Sequence, residues 1–149
     1  TDIQAAIGLS QFRSLNNFIN IRKINRNKII KKLTTDKRWD DQVSFVEKDN
    51  NVKPSWFGLS MLLNKKFKYN KKLILNRLDK FGIENRPIIS GNFLKQPALR
   101  KYNLSQKSKN FPNANYVHEH GLFVGLKNKI SSLIETKKFA NIFFKSFNL

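Results

Sequence analysis

The residues with the clearest chemical potential lie in the stretch RPIISGNFLKQP, which runs from Arg86 to Pro97. A short apolar strand there leads into a Ser-Gly-Asn turn, although Gly91 and Asn92 alone would be enough to reverse the chain. A guanidinium at a strand end can bind an anionic group, and amide side chains can both donate and accept hydrogen bonds. The stretch therefore predicts a site for a polar ligand. Its candidate ligand-binding residues are Arg86, Asn92, Phe93 and Gln96.

These residues also have structural interpretations, which the sequence leaves open. Arg86 can form a strand-end ion pair with Glu84 or Glu119, and a surface pair of that kind is worth only about 0–1 kcal/mol. Asn92 can occupy a turn position in a left-handed conformation. Phe93 can stack on a ring of the ligand, but an aromatic residue after a turn can equally belong to the core.

Two histidines, His118 and His120, flank Glu119 directly before a predicted strand. In extended backbone the two imidazoles would point to one face and the carboxylate to the other. Imidazole titrates near neutral pH, so the pair could transfer a proton or contact a substrate. These are the only histidines, and the chain has no cysteine. We therefore expect neither a disulfide nor a metal site.

The formal net charge of +19 results from 29 Lys and Arg residues against 10 Asp and Glu residues. Clustered cations bind phosphate backbones, so a basic nucleic-acid-binding domain is the alternative from another functional class. The lysines are, however, spread along the whole chain among many Asn and Ile residues, which indicates a solvated charged surface. We therefore do not expect a nucleic acid partner. Phosphate groups on a small substrate would benefit from the same positive field.

The composition, with 40% hydrophobic and 12% aromatic residues among 149, predicts a folded domain. The sequence has no apolar run near 18 residues and no signal-peptide pattern. We therefore expect a protein of the cytoplasm that does not enter a membrane. Because the first residue is Thr1, we also expect that the chain is part of a longer reading frame.

Hydrophobic periodicity predicts the helices that would position these residues. A long helix is predicted over 3–33, opened by a capping box formed by Thr1 and Gln4. A second helix is predicted to follow Asn70 and to end at Gly82, because glycine adopts the backbone conformation that commonly stops a helix. A third is predicted to begin after Ser132.

Short extended segments are predicted between these helices, over 43–46, 56–63, 83–89 and 122–124, with a polar loop over 100–116. Alternation of helices with short strands predicts an α+β fold, in which a small antiparallel sheet is covered by helices on one face. We expect residues 1–149 to form one domain.

Four motifs resemble one family in the same chain order. TDIQAAIGLSQ stands at Thr1–Gln11, PSWFGLSMLL at Pro54–Leu63, FGIENRPI at Phe81–Ile88 and HEHGLFVGL at His118–Leu126. Together they resemble the small domain of the DegT/DnrJ/EryC1/StrS family of pyridoxal-phosphate-dependent sugar aminotransferases and dehydratases. The resemblance implies the C-terminal small domain of a fold-type I enzyme.

The stretch Ser90–Pro97 is similar to the Gly-Asn-x-x-x-Gln-Pro turn of the nucleotide-sugar 3-dehydratase branch of that family. Those enzymes remove a hydroxyl from a 4-keto-6-deoxy nucleotide sugar in lipopolysaccharide biosynthesis. The resemblance implies that the turn lines the sugar-nucleotide side of the active site. His118 and His120 would then contact or support the substrate. A nucleotide-sugar aminotransferase of the same family is the alternative.

The resemblance also implies a cofactor, pyridoxal 5'-phosphate (PLP) or pyridoxamine 5'-phosphate (PMP), and a homodimer. In this family the residue that anchors the cofactor, Lys in the aminotransferases and His in those dehydratases, lies in a large domain that this chain does not contain. We therefore assign no catalytic residue here and expect the 149 residues to be inactive alone. An isolated small domain kept for partner contacts is a further possibility.

Overall fold

The computed structural model describes residues 1–89, 91–102 and 110–147. The helices and strands in chain order are α1 (Asp2–Phe12), α2 (Leu15–Thr34), β1 (Val43–Phe45), β2 (Gly58–Leu63), α3 (Lys71–Lys80), β3 (Asn85–Pro87), α4 (Pro97–Arg100), α5 (Pro112–His120), β4 (Gly121–Gly125) and α6 (Leu133–Phe147). The strands form one antiparallel sheet in the order β1-β2-β4-β3. The predicted α+β fold is confirmed. No helix within the described ranges is long and apolar enough to cross a bilayer.

The sheet has one buried face and one open face. Leu59 of β2 pairs with Val124 of β4, and both side chains are buried in the core. The next pair, Ser60 and Phe123, points to the opposite face because side chains alternate along a strand. Both of these residues are only half-buried. The open face is therefore where a ligand or another domain could contact the sheet.

Helices α2, α3 and α6 cover the buried face. Leu33 of α2 and Leu78 of α3 are completely buried, and α6 contributes the aromatic side chains of Phe143, Phe144 and Phe147. Full burial of an aliphatic or aromatic side chain stabilises a fold by roughly 1.5–3 kcal/mol. This shared core fixes the sheet on which the candidate ligand-binding residues lie.

Local signals at the helix ends act as the sequence predicts. Asn70 Oδ1 accepts a hydrogen bond from the Leu73 amide at 3.1 Å, which caps α3. Gly82 follows that helix with a φ of +82°. Before α6, the Ser132 amide donates to Glu135 Oε2 at 2.9 Å and the Glu135 amide donates to Ser132 Oγ at 3.2 Å. This reciprocal pair is the predicted capping box.

The predicted helix over 3–33 is wrong as one element, because it divides into α1 and α2. The Ser14 amide donates to the carbonyl of Gln11 at 3.0 Å, so the turn tightens to an i to i−3 bond and the α-helical ladder is interrupted. Helix α1 buries none of its residues, whereas α2 buries Ile29 and Leu33 in the core and contacts β2 and α6. The two halves of the predicted helix therefore have different surroundings.

Two further predicted boundaries are wrong. The predicted strand over 83–89 shrinks to Asn85–Pro87, because Pro87 is the last residue paired with β4. The predicted loop over 100–116 is helical at its end, where α5 begins at Pro112. Proline suits a first helical position because its φ is already helical and its missing amide is not needed there. Residues 103–109 of that predicted loop lie outside the described residues.

Candidate functional site

Arg86 extends from the open face of the sheet. It pairs with Phe123 across β3 and β4, so its side chain points away from the core. The side chain is 67% exposed, and Nη2 donates to Glu84 Oε1 at 2.8 Å. The ion pair with Glu84, one of the two structural alternatives for Arg86, is therefore present, whereas Glu119 pairs with Lys95. An exposed pair of this kind adds little stability, and the guanidinium has several more N–H groups that can bind a ligand.

An apolar groove lies beside Arg86 on the same face. The rings of Phe57 and Phe123 are 6.1 Å apart, and Phe57 is 70% exposed. The lining of the groove includes Trp56, Phe57, Ser60, Ile88, Ile89 and Phe123. Arg86 and Phe123 also line an adjoining groove together. Aromatic rings beside an exposed guanidinium can bind a flat or hydroxylated ring and an anionic group at the same time.

The turn that follows β3 is built around Asn92. Gly91 has a φ of +48°, and Asn92 is only 2% exposed. Asn92 Oδ1 accepts from the Leu94 amide at 3.0 Å, and Asn92 Nδ2 donates to Asn115 Oδ1 at 2.8 Å. The side chain of Asn92 thus holds the turn and its neighbour helix together. Ser90, the first residue of the predicted turn motif, lies outside the described residues.

Phe93 and Gln96 have more contact with solvent than Asn92. Phe93 is 64% exposed at the start of a short 3-10 turn, so the structure does not place it in the core. Gln96 is half-buried just before α4. The exposed ring of Phe93 is therefore the part of this turn that a ligand could reach most directly.

The two histidines do not share a face, which corrects the prediction for them. They belong to α5, where residues two apart point in directions roughly 200° apart, and not to extended backbone. His118 faces the turn, where its Nδ1 lies 3.4 Å from the Asn92 amide nitrogen. His120 instead packs on Tyr116, with ring centroids 4.7 Å apart. The structure brings His118, but not His120, into hydrogen-bond contact with the predicted turn.

The ammonium groups of two lysines, Lys65 and Lys71, lie near His120. Burial lowers the pKa of His120, and the nearby ammonium groups of Lys65 and Lys71 lower it further, although Glu119 acts in the opposite direction. Lys65 Nζ lies 4.5 Å from the centre of the Tyr116 ring. A lowered pKa keeps the imidazole neutral at pH 7. His120 can therefore accept a hydrogen bond there.

The sequence analysis missed Asn115 and Lys71. Lys71 Nζ donates to the His118 carbonyl at 2.9 Å, and burial lowers the pKa of Lys71. A signal for Asn115 was present, because Pro112 can start a helix and the spacing from Asn115 to His118 is three residues. Once the segment is treated as helical, those two side chains fall on one face.

Relatives with known names share much of this chain. It is 35% identical over 124 residues to a GDP-4-keto-6-deoxy-D-mannose 3-dehydratase of Escherichia coli O55:H7, and 32% identical over 124 residues to that of Yersinia pseudotuberculosis. Each match covers 83% of this chain and 30% of the relative. The Salmonella typhimurium lipopolysaccharide biosynthesis protein RfbH is 31% identical over 97 residues, which cover 65% of this chain and 22% of RfbH. The chain thus spans about 30% of the length of the dehydratases it matches.

Solved structures have the same fold. The E. coli GDP-4-keto-6-deoxy-D-mannose 3-dehydratase with bound hydrated PLP matches with a TM-score of 0.75 at 29% identity, over 93% of this chain and 34% of that chain. A variant of the GDP-4-keto-6-deoxymannose-3-dehydratase ColD with bound GDP-perosamine gives the same values. Helicobacter pylori PseC, an aminotransferase of pseudoaminic acid biosynthesis, shares the fold with a TM-score of 0.71 at 22% identity, over 97% of this chain and 37% of that chain.

A family model supports the same conclusion. The model of the DegT/DnrJ/EryC1/StrS aminotransferase family matches residues 1–135, which include α1, the sheet and the turn after β3. The chain therefore belongs to the DegT/DnrJ/EryC1/StrS family.

Proposed function

We propose that this chain is the C-terminal small domain of a PLP- or PMP-dependent enzyme that acts on a nucleotide-linked 4-keto-6-deoxy sugar. The reaction we propose for the complete protein is 3-dehydration, as in the E. coli relative, whose name gives GDP-4-keto-6-deoxy-D-mannose as its substrate. In this proposal the open face of the sheet and the turn at 91–96 contact the sugar nucleotide.

The observation that carries the proposal is the position of Arg86. Its guanidinium stands on the open sheet face beside Phe57 and Phe123, and β3 leads from it directly toward the turn with Phe93. A guanidinium binds diphosphate or sugar oxygens in fork geometry, and the neighbouring rings can cover an apolar ring face. Such a combination suits a nucleotide sugar better than it suits a purely apolar ligand.

The residues of this face do not form a PLP site by themselves. The two described grooves offer aromatic rings, the hydroxyls of Ser55 and Ser60, the amide of Asn85 and two cations, Arg86 and Lys127. Arg86 is ion-paired with Glu84, and Lys127 is ion-paired with Glu135. PLP needs a cradle for its phosphate and a partner for its ring nitrogen as well as an anchoring residue. We therefore propose that the part of the protein outside this chain holds the cofactor, and that this domain contributes substrate contacts.

Helix α1 supports the proposal of a missing domain. Its apolar side chains, among them Ile3, Ile7 and Phe12, are exposed, and α1 buries nothing against the rest of the chain. An apolar helix face of this kind needs a cover in the native protein. We propose that the large domain of the complete protein covers it. A homodimer and a cytoplasmic location are further parts of this proposal.

An aminotransferase of the same family is the second candidate function. The fold agrees with it as well as with a dehydratase, since PseC shares the architecture. The complete protein, expressed with PLP, should be reduced with borohydride and weighed. We expect reversible PLP binding without a covalent adduct, as for a dehydratase without a lysine anchor. A stable adduct with the mass of PLP would indicate a lysine anchor and favour the aminotransferase.

The role of Arg86 has its own test in the complete protein. We expect Arg86→Ala to lower kcat/KM for the GDP-linked 4-keto-6-deoxy sugar by about 10–100-fold, because a charged hydrogen bond to the substrate would be lost. Lys72→Ala, which removes an exposed cation from α3, is the matched control and should leave kcat/KM unchanged. Equal kinetics for Arg86→Ala and wild type would remove Arg86 from the site.

A further inference from the structure

The turn at 91–96 is joined to α5 by three side-chain contacts. The backbone amide of Asn92 donates to His118 Nδ1 at 3.4 Å. The side chain of Asn92 donates through Nδ2 to Asn115 Oδ1 at 2.8 Å. Lys95 Nζ donates to Glu119 Oε1 at 2.7 Å, and this ion pair lowers the pKa of Glu119. The three α5 residues are spaced i, i+3 and i+4, so one face of the helix carries all of them.

The backbone of the turn also packs directly on α5. A Cβ built on Gly91 would lie 2.7 Å from both Cα and Nδ1 of His118, which is closer than a Cβ atom can approach them. Gly91 therefore allows the turn to approach α5, and the hydrogen bonds of Asn92 then fix the position of the turn on that helix. Since Asn92 is 2% exposed, these bonds are shielded from competing water.

Helix α5 is itself held in place on its other sides. Tyr116 Oη donates to the Leu63 carbonyl at the end of β2 at 2.7 Å. Lys71 Nζ, from the first turn of α3, donates to the His118 carbonyl at 2.9 Å. The helix can therefore transmit a fixed geometry from the sheet to the turn.

We propose that Asn115 and His118 are positioning residues that hold the substrate-binding turn in place. They act through Asn92 and do not themselves need to contact the sugar nucleotide. The inference rests on the proposed function, because it assigns a support to the same site. It also changes the predicted roles of Asn92 and His118 from substrate contact to support, and it leaves Phe93 as the exposed element of the turn.

The chemistry of each contact predicts which substitutions keep it. His118 accepts a hydrogen bond from the Asn92 backbone amide through Nδ1. An asparagine at position 118 would offer Oδ1 as the acceptor at about the same distance from the backbone. Asn115 accepts with Oδ1, an atom that aspartate keeps and leucine lacks. His118→Asn and Asn115→Asp are therefore conservative variants, and His118→Ala and Asn115→Leu remove the acceptors.

The test uses the complete protein and two measurements. The first is KM and kcat with the GDP-linked 4-keto-6-deoxy sugar, and the second is hydrogen exchange of the peptide that contains residues 91–96. We expect Asn115→Leu to raise KM about tenfold and His118→Ala about threefold to tenfold, with kcat within about twofold, because a uniform binding contribution is lost. Exchange in the turn should become faster in both, and the conservative variants should restore both quantities.

Asn113→Leu is the matched control, because Asn113 is exposed on the same helix. It should change neither KM nor exchange in the turn. Unchanged exchange in both Asn115→Leu and His118→Ala would overturn the inference. So would faster exchange with an unchanged KM, while the proposed function would stand. If the wild-type protein binds no nucleotide sugar, the proposed function fails, and the positioning role for this substrate fails with it.

Discussion

Gly91 is constrained at the residue scale by both its backbone conformation and its neighbour. Its φ of +48° lies in the left-handed region, which costs roughly 1–2 kcal/mol for other residues. An added Cβ would also collide with His118 at 2.7 Å. Glycine at this position is thus required both by the turn and by its contact with α5.

We expect Gly91→Ala to reduce the free energy of unfolding by about 1–3 kcal/mol, through backbone strain and the displacement of α5. Urea denaturation followed by circular dichroism measures this loss. Gly8→Ala is the control, because a Cβ on Gly8 would meet nothing within 4 Å and alanine favours the helix. An equal effect of the two substitutions would show that Gly91 is not constrained as described.

Among the described carboxylates with a shifted pKa, Asp36 has the most strongly lowered pKa. Its two oxygens accept from Arg38 Nε at 2.8 Å and Nη2 at 2.9 Å. These hydrogen bonds hold the pKa of Asp36 well below its ordinary value of 3.8. Because the folded state binds its proton less readily than the unfolded state, the stabilisation is complete above pH 3.8 and is lost as the pH falls further.

We therefore expect Asp36→Asn to lower the free energy of unfolding by about 1 kcal/mol at pH 7, and the difference from wild type to narrow as the pH falls below about 3.8. Urea denaturation of the variant and of wild type at pH 7, 4 and 2.5 measures this difference in the free energy of unfolding. Asp49→Asn, at an exposed carboxylate, is the control and should cost less than about 0.5 kcal/mol. A difference that grows toward acid pH would contradict the assigned direction of the pKa shift.

At the scale of elements, one buried amide joins α2 to the loop between β4 and α6. Asn25 is completely buried, and its Nδ2 donates to the carbonyls of Lys127 and Lys129 while its Oδ1 accepts from the Ser131 amide. Arg22, one turn earlier on α2, adds a bond from Nε to Asn128 Oδ1. Loop and helix are thus fixed to each other by polar contacts in addition to the apolar core.

We expect Asn25→Ala to lower the free energy of unfolding by about 2–3 kcal/mol, because the completely buried Asn25 side chain bonds three backbone groups that would lose their partner. Asn27→Ala removes an exposed amide from the same helix and should change stability by less than about 0.5 kcal/mol. Thermal unfolding of both variants under identical conditions compares them. Similar melting temperatures for the two would mean that water or a neighbouring side chain replaces the Asn25 bonds.

At the scale of the whole molecule, the exposed apolar side chains of α1 predict that another part of the complete protein covers this helix. A double substitution of Ile7→Ser and Phe12→Ser should leave the stability of the 149 residues unchanged within about 0.5 kcal/mol, because neither side chain is buried there. In the complete protein the same change should cost about 2–4 kcal/mol.

Differential scanning calorimetry of both proteins makes this comparison. As a control, Leu33→Ala in α2 removes a completely buried side chain and should destabilise both forms. If the double substitution proves neutral in the complete protein too, the proposed docking of α1 on a large domain is wrong and another partner must cover this helix.

Much of the fold follows from local signals in the sequence. The caps at Asn70 and Ser132, the stop at Gly82 and the apolar periodicity of α3 and α6 each depend on neighbours within a few residues, so they predict helix positions well. The motifs around Arg86 and the first helix were enough to indicate the family, which the comparisons confirm. An exposed Arg86 follows from strand alternation once the strand is known.

Other features were decided only by tertiary contacts. Asn92 holds the turn because α5 brings Asn115 against its side chain and His118 against its backbone amide, and these residues are more than 20 positions away along the chain. His118 and His120 face different partners because their segment is helical, although the sequence analysis predicted a polar loop up to residue 116 and did not use Pro112 as a helix start. The sequence by itself therefore determined the family, the class of fold and the helix caps, since these depend on local patterns. The tertiary structure decided which polar side chains support the site and which remain exposed to a ligand, because those roles depend on neighbours that only the folded chain brings together.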